Sequence, residues 1–346
     1  MRRPGRPARQ RCRSRETDVG QPRNLGEGWC ARAPDAMVAR PGPPRGLGPP
    51  TSARMKSLRK LLLEMLVRQR PARALVYSAN QLGVQSVTLG LPEDSPMYSP
   101  HGGEWVEIPI DGVIAPYVLL NKQWQPEELE FIRSSMTDPA RRYFLIDVGA
   151  NVGLVTRQIL QNVPQVTGAL CFEPHPVNFR LLVNNVAHLK QCSVVNLALG
   201  SRAGSLDFHL DLDNAGNCSL NPDAMRGRRF RTISVQVATA SQDEILRRIP
   251  SDVPHDALIW KSDTQGFDES IVTMLPDSFW RRVEIGVMEV WRIEKPKIDY
   301  GRFEAILGSF RSRFFSSDPG RNLSPREIVQ YSQGNDYTHE DLFLAK

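Results

Sequence analysis

The chain has 346 residues, of which 40% are hydrophobic and 24% charged, with a formal net charge of +6. That length accommodates one large α/β domain with appendages, and no stretch approaches the ~18 uninterrupted apolar residues of a membrane-spanning helix. The charge is unevenly placed: residues 1–54 carry 12 Arg and four acids, whereas the other 292 residues hold 32 basic and 34 acidic ones, so the basicity gives no ground for a nucleic-acid-binding domain and no nucleic-acid partner is expected.

Residues 1–54 contain nine Pro and seven Gly with almost no apolar periodicity, the composition of a disordered leader. The stretch has no apolar core of a secretory signal. Either it is simply disordered, or Met55 is the true start and GC-rich codons upstream have been read through. An Arg-rich organelle transit peptide is the alternative, against which the Pro-Gly clusters count. From Met55, MKSLRKLLLEMLVRQR reads as an amphipathic helix ended by Arg70-Pro71. Short strands follow between residues 76 and 120. Glu104-Trp-Val-Glu-Ile-Pro-Ile alternates, Asp111-Gly112 marks a turn, and residues 113–120 read as the returning strand of a hairpin. Residues 55–125 are therefore expected to form a helix and a small β-containing cap. Pro126-Glu127-Glu128 opens a helix with Pro at its first position and acids in its first turn.

The organising stretch is YFLIDVGANVG at 143–153. An unbroken apolar run ending on Asp147 reads as a strand buried on both faces. Gly149, Asn151 and Gly153 then suit a sharp turn through left-handed backbone. Val155, Ile159, Leu160 and Val163 recur at helical spacing. Strand, glycine-rich loop and helix N-terminus together form a site for a polar or anionic small molecule. The spacing is not the G-x-G-x-x-G of a nicotinamide site, which argues against an oxidoreductase. The βα alternation continues with strands at 167–172, 193–197, 232–238, 257–260, 283–290 and 341–345. Helices are expected after Pro174, from Ser241 (with Glu244 completing a capping box) and at 303–310. This pattern predicts a doubly wound, Rossmann-like sheet over residues 126–346, mainly parallel with an antiparallel edge and helices on both faces.

Glu173 ends the strand after Asp147, where an acid can accept from both hydroxyls of a bound ribose. A later strand runs into Lys261-Ser262-Asp263-Thr264-Gln265-Gly266-Phe267-Asp268, concentrating polar groups at its carboxyl end. The D-V-G-A-N-x-G loop, this K-x-D-x-Q-G-x-D block, Asn196-Leu-Ala-Leu-Gly200 and Asn217-Cys-Ser219-Leu resemble, in order, the motifs of FkbM-type S-adenosylmethionine-dependent methyltransferases. The chain departs from them at Ser262 and at Met274-Leu275-Pro276. The resemblance implies a class I methyltransferase fold, S-adenosylmethionine as cofactor, and O-methylation of a sugar, secondary metabolite or other small-molecule or glycan acceptor. It also implies that Asp147, Gly149, Asn151 and Gly153 contact the methionine portion, that Glu173 holds the ribose, and that Asp263 faces the methyl group. Asp263 is the first candidate for a catalytic base, followed by Asp268, Glu289 and His175; His175 could instead stack on the adenine. A non-catalytic nucleoside-binding protein of the same fold is the alternative.

Asp211, Asp213 and Asn214 crowd one loop, but without the distant bidentate Glu of a calcium loop. They read as a solvated acidic loop, and no metal is expected. Five cysteines, an odd number without metal-ligand spacing, fit free thiols in a reducing compartment and hence a cytoplasmic protein.

Overall fold

A computed structural model describes residues 85–295 and 298–346. The expected leader and the helix from Met55 lie outside the described residues. Strand β1 (Ser86–Gly90) pairs antiparallel with β2 (Trp105–Pro109). The strand expected at 113–120 is instead a helix, α1 (Ile114–Asn121). Its start is fixed by Asp111, whose Oδ1 accepts from the backbone N–H groups of Val113 and Ala115 at 3.2 and 3.0 Å. β2 already has β1 as partner, so the apolar run after the turn is free to coil and bury Ile114, Ala115 and Val118. Helix α2 (Pro126–Ser135) begins on its proline as the sequence indicates.

The main domain runs β3 (Tyr143–Val148), α3 (Leu154–Asn162), β4 (Val166–Phe172), α4 (Pro176–Val186) and β5 (Cys192–Val195). Next come β6 (Ala198–Gly200), β7 (Gly204–Asp211), β8 (Cys218–Ser219), a 3-10 turn (Pro222–Met225), β9 (Phe230–Thr239) and α5 (Gln242–Leu246). The chain closes with β10 (Ala257–Ser262), α6 (Asp268–Met274), α7 (Asp277–Trp280), β11 (Val283–Trp291), α8 (Tyr300–Gly308), β12 (Ser312–Phe315), α9 (Pro325–Ser332) and β13 (His339–Ala345). Ser241 caps α5 by accepting from Glu244 N–H, but the Glu244 carboxylate turns to Arg247 and Arg248, so only half of the expected capping box forms.

Seven strands make the main sheet, in the order β12-β13-β11-β10-β3-β4-β5. β11, β10, β3, β4 and β5 are mutually parallel, and β13 is antiparallel to both of its neighbours. β6, β9, β7 and β8 form a separate four-stranded sheet, so the strand expected near 232–238 exists but lies outside the main one. Alternate residues of β3 face opposite cores. Phe144, Ile146 and Val148 pack with α6 to α9, and Tyr143 and Leu145 with α2, α3 and α4. Phe144, Leu145 and Ile146 are fully buried, each contributing up to about 1.5–3 kcal/mol of burial.

The chain runs outward from β3 to β4 and β5, then returns to place β10 on the other side of β3. Between the carboxyl ends of β3 and β10 lies the switch point at which such sheets bind ligands. A mainly parallel sheet with an antiparallel strand inserted next to its last one is the Rossmann-like class I methyltransferase fold. Among the described residues no helix is long and apolar enough to cross a membrane.

Candidate functional site

The loop after β3 adopts the left-handed turns its composition requires, with φ of 78° at Gly149, 51° at Asn151 and 80° at Gly153. Backbone bonds lock it to its neighbours. Gly149 and Ala150 N–H donate to Phe172 O at 2.9 and 3.0 Å, and Asp263 N–H donates to Val148 O at 2.9 Å. A Cβ on Gly149 would sit 2.1 Å from the Asp263 carbonyl oxygen. Gly149 is thus needed for the close approach of two loops, and it also forms part of the cleft wall.

The cleft at the switch point is bounded by Gly149 and Asn151, by Phe172, Glu173 and Pro174 after β4, by Asn178 of α4, and by Asp263, Thr264 and Phe267 after β10. Leu199, Phe208 and Ile271 supply apolar walls, while Ala215, Gly216 and Cys218 cover it from the second sheet. Its space is about 560 Å³ counted to the open mouth. The 211–217 loop lies against the cleft, held by Asp111 Oδ2 accepting from Ala215 N–H at 3.0 Å and by Asn178 Nδ2 donating to Ala215 O at 2.9 Å.

Glu173 Oε2 accepts from Asn151 N–H at 2.9 Å and Oε1 from His175 N–H at 2.8 Å. Burial pushes its carboxyl up to about 8 against the pull of those two bonds. Burial likewise holds His175 down at about 4, so its imidazole is neutral. Three buried atoms here lack a hydrogen bond of good geometry, Asn151 Oδ1, His175 Nδ1 and Asn178 Oδ1, although the His175 ring and the Asn178 amide interact with each other. Buried polar atoms without well-formed hydrogen bonds are costly; in and beside one cleft, they are groups that a polar ligand would satisfy.

The site residues expected from the sequence divide into two sets. Gly149, Asn151, Glu173 and Asp263 meet in the cleft. Asp147, Gly153 and Asp268 do not line it. Asp147 is 1% exposed; its Oδ1 accepts from Lys261 Nζ at 3.1 Å and its Oδ2 from Thr156 Oγ1 at 2.6 Å. Burial alone would lower the Lys261 ammonium, but Asp147, Glu128 and Asp263 outweigh it and hold the group charged. A Cβ on Gly153 would lie 2.5 Å from Leu182 Cδ1, so this glycine serves the packing of α3 on α4. Asp268 is fully buried and accepts from Thr264 N–H and, at 2.8 Å, from Thr264 Oγ1. It caps the loop from within and does not face the cleft.

Around Asp263 the structure adds a connection that motif reading missed. Gln265, with φ of 55°, donates from Nε2 to Asp263 Oδ1 at 2.6 Å and to Glu289 Oε2 at 2.9 Å. His339 Nε2 lies 3.4 Å from Glu289 Oε1 and stacks on Trp291. Glu289 is raised well above the usual carboxylate range by burial and by the Asp263 and Asp268 carboxylates. Glu289 was among the candidate bases, but its bond to Gln265 was not foreseen; nothing local marks His339, which the antiparallel β13 brings back to this end of the sheet. The acidic loop also differs from expectation: Asp211 is buried and paired with Arg228 at 3.1 Å, and Asp213 pairs with Arg229. Among the described residues no group of three or more His, Cys, Asp or Glu is placed to hold a metal ion.

No family model matches the chain. It is 27% identical over 188 residues to the methyltransferase sdnD of Sordaria araneosa, covering 47% of this chain and 71% of that protein. Among solved structures it is similar to 23S rRNA methyltransferase ErmE, at 10% identity and a TM-score of 0.30 over 65% of this chain and 68% of that one. It is also similar to the B. subtilis M1A22 tRNA methyltransferase TrmK, at 10% identity and a TM-score of 0.29 over 64% and 65%. Two expectations are corrected by these findings. The FkbM-type assignment is withdrawn, because no family model matches the chain. The expected absence of a nucleic-acid partner is withdrawn as well, because charge balance alone does not separate enzymes acting on nucleic acids from enzymes acting on small molecules.

Proposed function

We propose that the chain is an S-adenosylmethionine-dependent methyltransferase that binds its cofactor in the switch-point cleft and methylates an oxygen of an acceptor presented at Asp263. The observation that carries this reading is the convergence of Glu173 with the poorly bonded polar atoms of Asn151, His175 and Asn178 at the carboxyl ends of β3 and β4. The residues fit the group: a carboxylate for ribose hydroxyls, amide oxygens for N–H donors, and apolar walls at Phe172, Leu199 and Ile271 for a flat base. When bound, S-adenosylmethionine supplies a methyl group on a sulfonium, and its transfer to a hydroxyl leaves a thioether and releases a proton. In this reading Asp263 takes that proton. Its Oδ1 is held by Gln265, which fixes the carboxylate plane and leaves Oδ2 for the acceptor. Gln265 in turn is anchored on Glu289, so the loop keeps its left-handed turn. Holding two reactants in line is worth up to ~7–11 kcal/mol, and a positioned base adds about 10²–10⁴-fold.

Two substitutions test the division of roles. Glu173→Ala weakens S-adenosylhomocysteine affinity roughly ten- to a hundredfold, the loss of one charge-assisted pair. Asp263→Asn lowers turnover, followed as S-adenosylhomocysteine released with a panel of hydroxyl acceptors, and leaves cofactor affinity nearly intact. Cofactor binding without turnover on any acceptor, RNA included, would favour a non-catalytic nucleoside-binding protein.

A further inference from the structure

A second cavity of about 610 Å³ opens beside the first, and Asn221 is part of its wall. Asn221 also ties it to the catalytic loop, since its Nδ2 donates to Gly266 O at 3.4 Å and to Glu294 O at 2.8 Å. Leu220, the preceding residue, lines the cofactor cleft. The two spaces are therefore neighbours, separated by one stretch of backbone.

The wall of this cavity carries Arg226, Arg228 and Lys295 beside Asp223 and Glu294, with Phe230 as its aromatic residue. Arg226 and Arg228 flank Gly227, whose φ of 75° turns the chain between them, and Phe230 beside them is 47% exposed. The two arginines are held differently. Arg228 Nη1 bonds Oδ2 of the buried Asp211, which also accepts from Asn217 Nδ2 at 2.9 Å, so its guanidinium is fixed from behind. Arg226 donates from Nε and Nη2 to Asp223 Oδ1 at 3.1 and 2.7 Å and lies 4.7 Å over the Tyr337 ring, with its side chain 58% exposed and open to a second anion from solvent. The competing anions are mostly committed. Asp223 Oδ2 accepts from Glu294 N–H at 2.9 Å, leaving the exposed Glu294 side chain as the carboxylate not so engaged. Lys295 is spent on the buried Glu269, 2.8 Å away.

From this we infer that the second cavity is the acceptor pocket and that the acceptor carries a phosphate group next to a flat ring. Two guanidinium forks two residues apart match the several oxygens of a phosphate, and an exposed phenyl ring flanked by arginines is a stacking platform. The volume lies within the range of small-ligand sites. The inference rests on the proposed methyl transfer for what happens next, but not for binding. The phosphate has two sources, a small phosphate ester or a unit of a nucleic-acid chain.

The test is calorimetric titration of the full chain, with S-adenosylhomocysteine present and absent, using phenyl phosphate, benzyl alcohol and a single-stranded oligouridylate as probes. Phenyl phosphate is expected to bind at least about tenfold more tightly than benzyl alcohol, and Arg226→Gln and Arg228→Gln each to remove most of that difference. Arg226→Gln, at an exposed position, covers the case in which Arg228→Gln fails to fold because Asp211 loses its partner. Oligouridylate binding far above phenyl phosphate, with a steep salt dependence, assigns the phosphate to a nucleic acid; comparable binding assigns it to a small ester. Equal affinity for phenyl phosphate and benzyl alcohol, or wild-type affinity in Arg226→Gln together with a folded Arg228→Gln, overturns the inference. If S-adenosylhomocysteine fails to bind while the arginine-dependent phosphate signal persists, the cofactor reading falls and this one stands; the opposite pair of results sinks only this one.

Discussion

Asp147 and Asp263 look alike in sequence, each an acid closing a buried apolar strand, and the structure gives them opposite work. Asp147 neutralises Lys261 in a pair that is 1% and 3% exposed. Asp147→Ala therefore strands a buried ammonium and is expected to cost about 3–5 kcal/mol, read as a shift in the urea midpoint followed by Trp fluorescence. Asp263→Asn, facing the cleft, should leave that midpoint nearly unchanged; equal destabilisation by the two would contradict the division. Gly149→Ala is expected to unfold or severely weaken the chain, because the added Cβ meets backbone at 2.1 Å. The sequence singled out the loop but could not sort its residues. β3 is buried on both faces, so no polar alternation shows which side chains turn to the ligand and which to the core. Glu173 and Asp263 were legible because they end their strands. The Gln265 bridge was not, because Glu289 lies 24 residues away.

At the scale of elements, the alternating β and α units were readable wherever the apolar runs were long. The errors fell where tertiary partners decide. Residues 113–120 carry strand-like composition but coil because Asp111 caps them and β2 is already paired. β9 has ordinary strand composition, and nothing local indicates that it joins β6 and β7 in a second sheet. Arg157 is another element-level device invisible in sequence. Buried at 1%, it donates to the carbonyls of Met97, Gly103, Trp105 and Asn185, fastening the segment around β2 to α3 and α4. Arg157→Met leaves four carbonyl acceptors, three of them in buried bonds, short of a donor, at about 1–3 kcal/mol for a buried group left unsatisfied. Hydrogen exchange is expected to quicken across 97–109 while β3 and β4 remain protected. Uniform loss of protection across both regions would show that Arg157 supports the whole domain instead.

For the whole molecule, the carboxyl end of the sheet concentrates buried acids. Burial pushes Glu128 and Glu173 up to about 8, Asp268 to about 7 and Asp341 to about 6. Each folded value lies above the unfolded one of about 4. Their contribution to stability is therefore complete below about pH 4 and is lost as pH rises through about 6 to 8. The groups held low, such as Glu107 and Glu244, act in the opposite sense below about pH 4.5 but are less buried and more screened. The melting temperature is expected to peak at about pH 5 and decline toward pH 9, with Glu128→Gln flattening the decline. A maximum at pH 8 in the wild type would contradict this. Ribose hydroxyls donate to a carboxylate, so binding favours ionised Glu173, and S-adenosylhomocysteine affinity should tighten as pH rises toward about 8.

The central claim is that the switch-point cleft is a site for S-adenosylmethionine. Calorimetric titration of the full chain at pH 8 with S-adenosylhomocysteine, and separately with NAD, addresses it most directly. The account predicts saturable one-to-one binding of S-adenosylhomocysteine, weakened roughly ten- to a hundredfold by Glu173→Ala, and no binding of NAD. Binding of NAD alone, or binding of S-adenosylhomocysteine indifferent to Glu173→Ala, would contradict it.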